Sequence, residues 1–157
     1  MTRTTRVALA VTLSLSLPAH AADEDAKMAA VKLLAAGAKL FDAKDAKGLA
    51  ATYTDDAVIR AVSRDNDTRE LKTEDYHGRD AINKAYDKVF DNDAIFHAKN
   101  TIEYVQQPGP DVLVIAGHFV PDTQASDPIK VPFVQVRKKQ GDAWKISTLQ
   151  LFLLLDK

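Results

Sequence analysis

The chain contains no cysteine. Disulfides, thiolate metal sites, thiol nucleophiles and a lipidated N-terminal cysteine are thereby excluded. An excess of either charge is also missing: 21 Lys plus Arg stand against 22 Asp plus Glu, a formal net charge of −1. A near-neutral chain has no global electrostatic reason to bind nucleic acid. No apolar run approaches the ~20 residues that a membrane-spanning helix needs. Glycine-rich phosphate loops, Gly-x-Ser-x-Gly elbows and His-Glu-x-x-His helices do not occur either. What is present is 157 residues, 46% hydrophobic and 27% charged. That is the composition of one globular domain with enough chain to bury a core.

The first 21 residues read as a secretory signal peptide. Arg3 and Arg6 supply a positive start, residues 7–17 an uncharged and mostly apolar run, and Pro18 a break. Ala19-His20-Ala21 then places small residues where a signal peptidase reads them. The expectation is cleavage after Ala21, a working domain of 22–157, and a periplasmic or secreted protein with no membrane anchor. The mature charge becomes 19 − 22 = −3, because two arginines leave. Three histidines remain: His77, His97 and His118.

Apolar positions recur at three- and four-residue steps over 26–43 (Met28, Val31, Leu34, Ala35, Ala38, Phe41), which predicts a helix. Asp45 can cap a second, short helix running to about Tyr53. Residues 57–62 suit a strand, 63–69 a polar turn, and 70–76 a returning exposed strand. A further helix is expected over 79–91, with Ile82, Ala85, Tyr86, Val89 and Phe90 on one face. Four strands then follow in a meander, over about 95–106, 112–120, 129–138 and 143–154. Helices followed by a run of strands argue an α+β fold with an antiparallel sheet. A sheet this long curls, and helices on one face of it enclose a cone.

Particular segments carry a resemblance. Residues 41–49 read Phe-Asp-Ala-Lys-Asp-Ala-Lys-Gly-Leu, and 53–58 read Tyr-Thr-Asp-Asp-Ala-Val. Residues 76–82 read Tyr-His-Gly-Arg-Asp-Ala-Ile, and 141–146 read Gly-Asp-Ala-Trp-Lys-Ile. In this order the chain resembles the NTF2-like superfamily, in its SnoaL-like and ketosteroid-isomerase-like branch, over essentially all of 26–154. The resemblance implies a cone of three helices packed on a strongly curved antiparallel sheet. This scaffold hosts many activities and none, so it does not by itself imply a reaction.

Ketosteroid isomerases of this fold use a helix tyrosine, an aspartate base and a protonated aspartate. Those positions fall here on Gly37, Ala61 and Val134, which neither ionise nor donate. Only a buttressing tyrosine has a match, Tyr86. Classical isomerase chemistry is therefore not expected. Other members of this fold carry histidine inside the cone. If Gln106 pairs with Asp111 across the turn at 107–110, His97 faces Val120 and shares a sheet face with His118; a one-residue slip separates them. Two histidines without a carboxylate make a poor metal site, so no metal and no cofactor is expected. His77 reads as a surface residue.

On the last strand Trp144, Ile146, Thr148, Gln150 and Phe152 share one parity, which the resemblance turns inward. With Val134 inward, Phe133, Gln135 and Arg137 fall on the outer face, where the superfamily often forms a homodimer. The Asp55-Asp56 pair reads as a cap at a helix-to-strand turn, and Arg137-Lys138-Lys139 as a solvated hairpin tip. Three readings follow. The first is a binding module whose pocket is walled by Ala61, Val134, Trp144, Ile146 and Phe152. Its polar groups are Tyr53, Tyr86, Thr148 and Gln150, and its partner is a small hydrophobic molecule. The second is a lyase or isomerase with His97 or His118 as general base and Tyr86 or Tyr53 as donor. The third is a dimeric scaffold with a filled cone.

Overall fold

A computed structural model describes residues 19–65, 67–91, 98–121 and 130–154. Three helices, α1 (Ala19–Asp42), α2 (Ala46–Ala51) and α3 (Gly78–Phe90), accompany six strands. These are β1 (Tyr53–Arg64), β2 (Leu71–His77), β3 (Ala98–Gly109), β4 (Val112–Pro121), β5 (Val131–Gln140) and β6 (Ala143–Leu153). The strands form one sheet in the order β2-β1-β6-β5-β4-β3. Every neighbouring pair is antiparallel except β1 with β6, which run parallel. The α+β cone expected from the sequence is the architecture observed, with the helices on the concave face of the sheet.

Local chemistry explains the joints. The Asp45 side chain accepts from the Gly48 N–H at 2.8 Å and starts α2. Gly78 begins α3 at φ +76°, a conformation that side chains disfavour, and an added Cβ would lie 3.3 Å from the Asp55 carbonyl. Arg79, next in sequence, donates from Nε to the Tyr53 carbonyl at 2.9 Å and pairs through Nη1 with Asp55 at 2.9 Å. It ties α3 to the start of β1. Asp55 and Asp56 both lie exposed within β1, so the strand begins at Tyr53, ahead of the pair expected to form its turn.

The buried stripe of α1 runs through Ala26, Ala30 and Leu34. Met28 and Val31, expected on that stripe, are 54% and 52% exposed. The buried face is rotated toward the small alanines because a helix lying on a curved sheet must approach it closely. The core joins this stripe to Tyr53, Ala57, Ile59 and Ile82 and to the inner residues of β4, β5 and β6.

Three irregularities decide which side chains face the helices. In the β3–β4 hairpin Gly109 pairs with Val112, so the turn is Pro110-Asp111, and Gln106 pairs with Val114 rather than Asp111. The ladder slips at 107–108, where proline cannot donate to it. A second slip, at Glu103, lies between Ile102 and Tyr104. A third lies at Ser147: Arg137 pairs with Ile146 but Val136 with Thr148. One extra residue at a β-bulge inverts the facing of everything after it.

Candidate functional site

The inner face of β5 carries Val131, Phe133, Gln135 and Arg137, which pair with the inner β4 residues Phe119, Gly117, Ile115 and Leu113. Val134 and Val136 therefore point outward, the reverse of the expected parity. Two register facts fix this. Phe133 and Arg137 are buried at 3% and 4% exposure, and both line the space under α1. On β6, Trp144 and Ile146 face inward as expected. Beyond the Ser147 bulge the inward residues are Leu149, Leu151 and Leu153. Thr148, Gln150 and Phe152 turn to the outer face with Val58, Arg60 and Val62, their partners on β1.

Between the helices and this inner face lies a cavity of about 550 Å³. Its wall is mostly aliphatic and aromatic, with Leu34, Phe41, Phe119, Trp144, Leu149 and Leu151 prominent. An aromatic arc runs along one side. Phe119 meets Phe41 edge-on at 5.4 Å, Phe41 meets Phe90 at 5.1 Å, and Phe90 stacks on Tyr86 at 6.1 Å. Tyr86 lies 6.3 Å from Tyr53, centroid to centroid. Such offset and edge-on pairs hold an aromatic wall in place.

Polar atoms are few and converge. The hydroxyls of Tyr53 and Tyr86 are 2.7 Å apart and share a hydrogen bond. Burial pushes both phenols above their ordinary range, outweighing the nearby Arg137 charge, which acts the other way on each. Both are thus neutral donors at physiological pH. Arg137 donates from Nε and Nη2 to a single acceptor, Gln135 Oε1, at 3.1 and 2.9 Å. Burial pulls the guanidinium down to about 10, which leaves it a cation at neutral pH. At the rim, Lys145 Nζ donates to the Ala51 carbonyl at 2.5 Å. The described residues lining the cavity include no Asp, Glu or His. The arrangement can bind and orient a ligand and donate hydrogen bonds to it; a proton-abstracting carboxylate or imidazole is not in the described wall.

Of the residues singled out from the sequence, the fold brings Tyr53, Tyr86, Trp144 and Ile146 to the cavity. Ala61 pairs with Leu151 on the same sheet side, but it lies on β1 away from the lining. Val134, Thr148, Gln150 and Phe152 lie on the outer face, for the parity reasons above. His118 is corrected as well. It pairs with Pro132 and Thr101 on the outer face, and its Nδ1 meets Glu103 Oε1 at 2.9 Å. The bulge at Glu103 brings that carboxylate onto the histidine, so His118 does not serve as a base in the cone. His97 lies outside the described residues, and Val120 pairs with Lys99. His77 is exposed at the end of β2. Arg137, Gln135, Asn100 and Phe41 reach the cavity without having been singled out as its lining.

An α+β cone holding an apolar cavity with a tyrosine pair and a buried arginine defines a pocket-bearing protein of the NTF2-like fold. Residues 25–150 match the family model of the SnoaL-like domain, and the chain belongs to that family. No curated protein matches the chain. Solved structures agree on the fold. An NTF2-like protein of unknown function from Shewanella oneidensis superposes with a TM-score of 0.60 at 17% identity, covering 78% of this chain and 94% of its own. A ketosteroid isomerase-like protein from Erwinia carotovora gives 0.57 at 20% identity, covering 84% and 93%. A cystatin-like-fold domain of unknown function from Nostoc punctiforme gives 0.61 at 15% identity, covering 86% and 79%.

Proposed function

We propose that this SnoaL-like domain is an exported binding protein that holds a small hydrophobic molecule in its cone. The observation that carries the reading is the cavity of about 550 Å³, whose mostly apolar wall has a few convergent polar groups. That size and lining are typical of small-molecule sites. Trp144, the sole tryptophan, lines the cavity and reports on it. Titration with the neutral apolar dye N-phenyl-1-naphthylamine is expected to quench Trp144 and raise dye emission with saturation. An Ala38→Phe change, which fills the space, is expected to weaken binding at least ~10-fold, the scale of one lost apolar contact set. Dye emission that never saturates, or is indifferent to the filling variant, argues for the filled-cone scaffold instead.

Export and pairing complete the proposal. Cleavage after Ala21 would remove the first three residues of α1 and leave its buried residues Ala26, Ala30 and Leu34 in place. The retained core face is compatible with such processing. A homodimer through the outer sheet face would use Val134, Val136 and Tyr104, the last 50% exposed, rather than Phe133, Gln135 and Arg137. Sedimentation equilibrium is expected to give twice the chain mass, and Val136→Glu the single mass. A wild-type monomer at tens of micromolar rejects the dimer.

A further inference from the structure

The polar end of the cavity has an unbalanced charge. Arg137 is 4% exposed, and among the described residues no carboxylate pairs with it. Its only hydrogen-bond acceptor there is the neutral Gln135 amide oxygen, which takes Nε and Nη2. A guanidinium offers five donors in a planar fork. Nη1 has no protein acceptor among the described residues, and Arg137 lines the cavity. Beside it, two phenols share one internal hydrogen bond, which leaves the pair one further O–H to give. A buried cation without an anion is costly, and proteins keep one where something else supplies the negative charge.

We propose that the ligand is an amphipathic monocarboxylate, its carboxylate on the Arg137 fork beside the Tyr53–Tyr86 pair and its apolar body against the aromatic and leucine wall. The assignment rests on the cavity being a ligand site. One buried guanidinium and neutral phenols match one negative charge, the second lining cation, Lys145, being engaged at the rim by the Ala51 carbonyl, and the fork matches two coplanar oxygens. Gln135 holds the fork in its plane, so it is a positioning residue for the head group.

The probes are octanoate, 1-octanol and octanamide, titrated calorimetrically into the intact protein and used to displace N-phenyl-1-naphthylamine. Octanoate is expected to bind roughly 10- to 100-fold more tightly than either neutral analogue, the range of a charged hydrogen-bonded contact. In Arg137→Met the preference for octanoate over 1-octanol and octanamide is expected to vanish. If the dye binds but octanoate does not outcompete 1-octanol, the carboxylate assignment falls and the hydrophobic site stands. If neither dye nor any octyl probe binds, the site itself falls. Should Arg137→Met fail to fold, the octanoate-to-octanamide ratio on the wild-type protein decides alone.

Discussion

Arg137 concentrates the tension between stability and function in this molecule. It pairs across the sheet with Leu113 and Ile146, but among the described residues its charge finds only an amide oxygen. Removing a poorly compensated buried charge commonly stabilises a protein. Arg137→Met is therefore expected to raise unfolding free energy by about 1–4 kcal/mol in urea titrations without ligand. A loss of stability would show instead that the guanidinium is a structural strut. The same residue shows the limit of reading the sequence. Within Arg137-Lys138-Lys139 it looks like the first member of a solvated basic tip. Its neighbours Lys138 and Lys139 are exposed, and Arg137 is not. Val131, Phe133, Val134 and Val136 are all apolar, so periodicity alone allows either face of β5 to point inward. Tyr53 and Tyr86 were legible because an aromatic ring with one polar atom suits a pocket wall on either helix or strand.

At the scale of elements, the order and type of helices and strands were legible, because each is punctuated by turn chemistry: Asp45, Gly78, Gly141-Asp142. Facing was not, because it depends on single-residue bulges at Glu103, 107–108 and Ser147 that leave no mark in hydrophobic alternation. Close packing around one bulge gives a sharp test. An added Cβ on Gly117 would lie 1.9 Å from the Thr101 carbonyl oxygen, on the neighbouring strand's backbone. Gly117→Ala is expected to cost about 1–3 kcal/mol or more. Gly37, inside α1 with nothing within 4 Å of its added Cβ, is expected to gain roughly 0.5–1 kcal/mol as alanine. Urea midpoints moving the same way in both variants would contradict this packing.

The β1–β2 turn offers a test by pH. The Asp65 carboxylate is hydrogen-bonded by Lys72 and by the backbone N–H groups of Thr68 and Asp67, which hold it well below the usual carboxylate range. A carboxyl lowered in the folded state contributes stability above its ordinary pKa of about 4. That contribution is lost as pH falls toward the depressed value. Asp65→Asn is therefore expected to lower Tm at pH 7, with the gap to wild type narrowing from pH 4 to pH 2. An unchanged gap across that range would place the contribution elsewhere.

On the scale of the whole molecule, an antiparallel sheet with one parallel pair curls under three helices and leaves its centre open. A tighter core would need larger side chains at Gly37, Ala36 and Ala38, the positions where α1 passes over the cavity. Small residues there, aromatic residues and the buried Arg137 line the space for which an amphipathic guest is proposed. The family and fold follow from the chain's organisation; the proposed guest rests on the inner face that the bulges select. A crystal structure of the protein soaked with octanoate tests this most directly. Carboxylate density is expected within hydrogen-bond distance of the Arg137 guanidinium, with the alkyl chain against Leu34, Phe41 and Leu149. Octanoate bound elsewhere, with Arg137 still held only by Gln135, would contradict it.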